Sequence, residues 1–196
     1  MNEKFNWKFP YASQRMPVMA KNIVSTSQPL ASQAGLRMLL KGGNAIDAAI
    51  SSAIALTVVE PTMNGIGSDA FAIIWDTNKL IGINASGRAP SAWTPEYFSK
   101  YKTMPLLGWD SVTIPGAVSA WVELSERFGN LPFETLFKPA INYARNGFNV
   151  SPFTANVWKM TKSMFRKSPG FADTFLIGKK APKAGMLFKN PAQAEA

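Results

Sequence analysis

Residues Gly42 to Gly67 read GGNAIDAAISSAIALTVVEPTMNGIG, and the punctuation of this stretch decides how the chain folds around it. Gly42 and Gly43 can take the left-handed conformation that closes a helix. Asn44 follows as an N-cap, and Asp47, three residues on, sits near the positive end of the helix that Asn44 opens. Ala48, Ala49, Ala53 and Ala55 keep that helix thin, so that neighbours can pack closely against it. Pro61 ends it. The turn PTMNGIGSD then brings two glycines, which leave the backbone free to bend sharply or to approach another group.

Upstream lies SQPLASQAGLRMLLKGG. Ser27 or Gln28 can cap a helix with Pro29 in its first turn, and Leu30, Ala34, Leu36, Leu39 and Leu40 have helical spacing for a buried face. Ile23 to Thr26 is a short β-prone run, and residues 1–20 read as an extended arm. Downstream, Phe71 to Trp75 and Leu80 to Asn84 flank a polar connection and predict a β-hairpin. FAIIW is apolar almost throughout, which predicts burial on both faces. Ala85 to Pro90 leaves the sheet as a loop, Thr94-Pro95-Glu96 opens a short helix, and residues 100–109 are loop-like. Ser111 to Gly116 reads as a short strand running into a turn. Ala117 to Phe128 is amphipathic, with Gly129 as its stop; Leu131 to Asn146 repeats the pattern, with Gly147 as its stop. Ser151, with Pro152 at the first position, opens a last helix to about Lys167. Residues 168–196 lose periodicity and read as an irregular basic tail. Without repeats or a long linker, residues 1–196 are expected to form a single domain.

Composition narrows the function classes. The chain is 46% hydrophobic and 17% charged, a globular balance. No run of 18 apolar residues exists, so no membrane helix is expected. The N-terminus lacks the apolar core of a signal peptide, and a cytoplasmic location is the default. Zero Cys excludes disulfides and thiol chemistry, and zero His excludes a Ser-His-Asp triad within the chain. The net charge of +9 invites a nucleic-acid reading. Its distribution argues otherwise: eight Lys and Arg between 159 and 189 face only Asp173, the remainder is nearly balanced, and no recognition module accompanies the charge. Such a patch is a solvated face or one that meets an acidic partner segment. Asp47 and Asp69 stand at opposite ends of a helix and turn, a poor spacing for a glycosidase pair. Glu60 reads as a helix-end or surface acid.

Five segments occur in an order that resembles the N-terminal part of the gamma-glutamyltransferase family. They are SQPLASQAGLRMLLKGGNAIDAA, VVEPTMNGIGSDAFAI, SGRAP, SVTIPGAVSAW and ERFGNLPFETLFKPAINYARNGFNVSP, covering roughly Asn22 to Pro152. The resemblance implies an N-terminal-nucleophile hydrolase: an α+β fold, the αββα four-layer sandwich, of which this chain would be an incomplete, mostly helical piece with a β-hairpin. It implies a self-processing enzyme that hydrolyses or transfers an acyl, such as gamma-glutamyl, group from a small-molecule amide. In such enzymes a Thr exposed by self-cleavage attacks the carbonyl, and its own amine serves as base. None of the eleven Thr here sits in that context. The resemblance therefore implies no catalytic residue in this chain, an inactive fragment, and as partners the remainder of the large subunit and the small subunit. No cofactor, metal, nucleic acid or membrane is implied. A non-catalytic module that keeps the fold is the alternative.

The loop Ser86-Gly87-Arg88-Ala89-Pro90 carries the candidate substrate contact. Arg suits carboxylates because its planar fork donates two parallel bonds. The family pattern here is R-E-x-A-P, with the Arg on the substrate's alpha-carboxylate. With Ala89-Pro90 aligned, the family Arg falls on Ser86 and the Glu on Gly87, and Arg88 stands two residues later. Ser68 and Asp69 likewise replace glycines of the family's GIGGGGF turn. Both departures resemble the divergent, acylase-like members.

Overall fold

The computed structural model describes residues 18–196. Of the arm expected at 1–20, only Val18 to Ala20 lies within them, as exposed coil. The chain runs α1 (Pro29–Leu40), α2 (Ala45–Val59), β1 (Ala70–Trp75), β2 (Leu80–Ala85), α3 (Pro95–Phe98), a 3-10 turn (Trp109–Ser111), α4 (Ala117–Phe128) and α5 (Phe133–Asn146). It continues with β3 (Phe148–Asn149), α6 (Pro152–Phe165), α7 (Phe171–Phe175), β4 (Leu187–Phe188) and α8 (Pro191–Glu195). This α+β set forms two compact units, one from residues up to 64 together with 130–196, the other from 65–129.

In the first unit α1 and α2 form a tight pair. Gln28 caps α1 by accepting from the Leu30 N–H, and Gly42 closes it at φ +84°. A Cβ on Gly35 would meet the Ser52 hydroxyl and the Ala48 carbonyl, so the two helices touch backbone to side chain there. Ser52 Oγ donates to the Ala31 carbonyl at 3.0 Å, and Ser51 Oγ donates to the Leu136 carbonyl at 2.9 Å, tying α2 to α5. These serines are buried but satisfied, so their place in an otherwise apolar helix is not costly. Met38, Ile50, Ile54, Val59, Leu136 and Ala140 fill the core between the three helices.

Asp47, fully buried, joins the ends of these helices. Its carboxylate accepts from the Asn44 N–H at 2.8 Å, completing a capping box, and from the N–H groups of Asn130 (3.1 Å) and Leu131 (3.3 Å) at the entrance to α5. Asn130 Nδ2 donates back to the Gly42 carbonyl at 2.7 Å. Glu60, read as a helix-end or surface acid, is at the helix end but buried. As C-cap of α2 it accepts from Ser27 Oγ at 2.7 Å and Asn64 Nδ2 at 3.3 Å.

The segment expected to be an irregular tail is built into this unit. Phe148 pairs with Phe188 across β3 and β4, and the Trp158 ring packs on Phe188 at 4.8 Å. The Asn190 N–H donates to the Ala144 carbonyl, and Gln193 Nε2 donates to the Thr57 carbonyl at 3.1 Å. Elements of two to five residues have no readable period; aromatic burial against α6 holds them. Ile23 to Thr26, expected to be β-prone, is coil without a ladder.

In the second unit β1 and β2 pair antiparallel from Ala70↔Ala85 to Trp75↔Leu80. Burial alternates along both strands, and α4 packs against the hairpin. Phe71, Ile73, Trp75 and Leu80 are exposed, so the expectation that FAIIW is buried on both faces does not hold within this chain. One helix covers one face. Residues Ser111–Gly116 form no strand; the N–H groups of Ile114 and Gly116 go to the loop carbonyls of Arg88 and Ser68 instead. Thr94 caps α3, and the excursion after it is pinned by Asp110, which accepts from the hydroxyls of Tyr97 (2.7 Å) and Tyr101 (2.5 Å) and pairs with Lys100 at 3.1 Å. Those donors, Tyr101 first, hold the Asp110 carboxyl at about 2.

Two predictions follow from these contacts. Asp47→Ala removes a buried carboxylate that accepts from the Asn44, Asn130 and Leu131 N–H groups and should cost about 3 kcal/mol, read as a fall in the urea midpoint. Asp110 is ordinarily near 3.8; lowered in the folded state, it stabilises the excursion above pH 4 and loses this as pH falls through about 2. Tyrosine NMR signals should shift with a midpoint near 2. A midpoint near 4 would mean the contacts are absent in solution.

Candidate functional site

The second unit holds a polar cleft of about 360 Å³. Its walls are 84–88, leaving the hairpin, and 114–116 with Ser119, entering α4. Two glycines make these walls possible. Gly87 has φ +69°, and a Cβ there would collide with the Ile114 carbonyl. A Cβ on Gly116 would collide with the Ala85 carbonyl. The backbone pair is completed by the Ile114 N–H, which donates to the Arg88 carbonyl at 3.0 Å. From below, the Ser68 carbonyl accepts from the N–H groups of Gly116 (3.2 Å) and Ala117 (2.9 Å). The Thr113 hydroxyl lies between Asp69 Oδ1 and the Ser86 carbonyl, 3.4 Å from each.

Arg88, the one candidate substrate contact read from the sequence, lines this cleft. It is exposed, and among the described residues it joins no ion pair. Gly116 caps α4 without a side-chain acceptor, and the first turn of that helix holds no acid. The positive end of a 12-residue helix and an Arg with no carboxylate partner therefore border the same small space. Both favour an anion, and a carboxylate fits the Arg fork. Asn84, near the end of β2, and Ser119, in the first turn of α4, add polar groups that sequence reasoning missed, because a single polar residue within a strand or helix carries no spacing signal.

Gly87 also explains the departure of SGRAP from the R-E-x-A-P pattern. The residue aligned with the family Glu has a backbone that disfavours side chains and a neighbour that excludes one. Arg88 stands at the next position. By contrast, Gly65 and Gly67 have ordinary φ and open space around them, so the sharp bend expected of the GIG turn is not what requires them here. Gly42, Gly43 and Gly116 do serve geometry, as expected. Among the described residues no cluster of three His, Cys, Asp or Glu could hold a metal, and no helix is long and apolar enough to cross a membrane. A larger groove in the first unit, about 710 Å³ between residues 21–27 and α2, is lined mainly by small side chains and carries no acid.

The gamma-glutamyltranspeptidase family model matches residues 31–196. The chain belongs to the gamma-glutamyltranspeptidase family. It is 36% identical over 179 residues to the glutathione hydrolase-like YwrD proenzyme of Bacillus subtilis (strain 168), covering 87% of this chain and 34% of that protein. It is also 36% identical to the acylase ACY 1 proenzyme of Pseudomonas sp. (strain SE83), covering 85% of this chain and 32% of that protein. The crystal structure of cephalosporin acylase from Bacillus halodurans superposes with a TM-score of 0.88 at 47% identity, over 95% of this chain and 37% of that one. The chain thus spans about a third of the length of the curated relatives it matches, and the fold is that of the N-terminal part of this enzyme family.

The cleft depends on close backbone approach. Gly116→Ala should therefore disturb it more than Gly67→Ala, which meets open space. Amide hydrogen exchange at Ile114 and Gly116 should accelerate at least several-fold in the first variant and stay unchanged in the second.

Proposed function

We propose that this chain is the substrate-anchoring part of a self-processing amide hydrolase or acyltransferase, in which Arg88 holds a carboxylate of the acyl donor. The nucleophilic Thr lies outside these 196 residues, as the family resemblance implies. In the whole enzyme its hydroxyl attacks the amide carbonyl and its free amine takes the proton, so neither His nor metal is required of this chain. The contribution of the cleft is positional. A carboxylate gripped at one end fixes how far the scissile carbonyl extends, and correct placement lowers the barrier without touching the reacting atoms.

One observation carries this reading: Arg88, with no ion pair among the described residues, borders the cleft that also receives the N-terminus of α4, which no side chain caps. The similarity to proteins named glutathione hydrolase-like and acylase supports amide substrates as the class.

The test is made in the full-length enzyme with paired amides that differ only in whether the acyl group bears a carboxylate. Arg88→Ala should raise KM for the carboxylate-bearing amide by about 10- to 100-fold, the value of one to two charge-assisted contacts. It should leave the neutral amide nearly unchanged. Arg88→Lys should recover part of the loss, since it keeps the charge but not the fork. Equal losses on both amides would overturn the assignment.

A further inference from the structure

The chain contains two Asn-Gly pairs, Asn64-Gly65 and Asn146-Gly147. Such a pair is open to spontaneous loss of the asparagine amide, because glycine puts no side chain in the way when its backbone nitrogen turns on the preceding residue. The fold treats the two pairs differently. Asn146 is the last residue of α5, and the Gly147 N–H donates to the Tyr143 carbonyl at 3.0 Å. Asn146 Nδ2 donates to Asn142 Oδ1 at 2.7 Å, and a Cβ on Gly147 would collide with the Leu187 and Lys189 side chains. There the nucleophile is engaged, and the helix end fixes the backbone around it.

Asn64-Gly65 lacks these restraints. The pair follows the turn that ends α2, at the point where the chain passes from the first unit to the second. Among the described residues the Gly65 N–H makes no hydrogen bond. Gly65 has an ordinary φ, and nothing lies within 4 Å of where its Cβ would stand. Both residues are half-buried between the exposed Met63 and Ile66, so water reaches the turn. The Asn64 side chain makes one hydrogen bond among the described residues: Nδ2 donates to Glu60 Oε2 at 3.3 Å, a long contact. It holds the nitrogen that leaves, not the carbon that is attacked.

We propose that Asn64 deamidates spontaneously in the folded protein, selected over Asn146 by the unbonded Gly65 amide, and that the product acts on the buried Glu60. The Gly65 N–H first gives its proton to hydroxide. Its nitrogen then attacks Asn64 Cγ; the N–Cγ bond forms, the Cγ–Nδ2 bond breaks, and Nδ2 leaves as ammonia with a proton from water. Water opens the resulting succinimide at either carbonyl. A ring C–N bond breaks, the oxygen of water stays on carbon, and a proton returns to nitrogen. One opening leaves an aspartyl residue at position 64. The other leaves an isoaspartyl residue, in which the backbone runs through the side chain and is one methylene longer. Either product replaces a donor by an anion. Glu60 loses the Asn64 Nδ2 donor and keeps Ser27 Oγ at 2.7 Å. A second carboxylate beside a buried one repels it, so the end of α2 loosens as the protein ages. The proposal rests on neither Arg88 nor the substrate.

The experiment incubates the full-length protein, folded and in denaturing urea, in mildly alkaline heavy-oxygen water. Digestion in ordinary water and peptide mass spectrometry then read the label. In the folded protein the Asn64 peptide should take up one heavy oxygen many times faster than the Asn146 peptide; in urea the two rates should converge. Gly65→Ala, which meets open space, should slow the uptake several-fold and leave the melting temperature unchanged. Asn64→Asp, which supplies the aspartyl product directly, should lower the melting temperature by several degrees, and Asn64→Gln, which keeps a donor, should lower it less. If the Asp variant does not fold, melting of the aged protein reads the same loss. No uptake at Asn64, equal uptake at Asn146 in the folded protein, or an Asn64→Asp variant as stable as the parent would each overturn the proposal.

Discussion

A single carboxylate, fully buried, governs the first unit. Asp47 receives the N–H of Asn44 at the start of α2 and those of Asn130 and Leu131 at the entrance to α5. A buried charge is tolerable only when its oxygens are satisfied, and backbone donors at a helix N-terminus satisfy it well. The consequence spreads outward. Because the carboxylate and Leu131 occupy the space beside Gly43, no side chain fits there: a Cβ would stand 2.7 Å from Leu131 Cδ1 and 3.0 Å from Asp47 Oδ2. The glycine pair, the cap and the return of the chain from residue 129 are thus one device. With α1, α2 and α5 held at that corner, the small faces of α2 can meet both neighbours, and Ser51 and Ser52 find carbonyls across the contacts.

The second unit is organised by a different constraint, the approach of two loops. Gly87 and Gly116 let the chain leaving β2 and the chain entering α4 lie closer than side chains permit. What remains between them is a cleft bordered by a cation and a helix N-terminus. Electrostatics of this kind is built from backbone as much as from side chains.

Both units leave apolar groups uncovered: Phe71, Ile73 and Trp75 on the hairpin, and Phe153, Met160 and Met164 on α6. An alternating strand with its second face bare is a sheet awaiting another layer. A chain that spans about a third of its curated relatives would leave such surfaces.

The sequence alone determined the longer helices and the family. Caps, stops and periodicity are local, so Asn44, Pro61, Gly129, Gly147 and Ser151 could be read directly, and each marks an observed helix boundary. The hairpin was legible for the same reason. Tertiary structure decided what depends on residues far apart in the chain. That Asp47 binds Asn130 and Leu131, that Glu60 accepts from Ser27, and that Phe188 draws the final segment against Trp158 all arise from contacts across 30 to 84 positions. It also decided that Arg88 borders the N-terminus of α4, because the Gly116 contact with Ala85 has no local signature. A pattern of residues states what a segment prefers; which buried groups meet, and which face stays open, follows only when the chain has closed on itself.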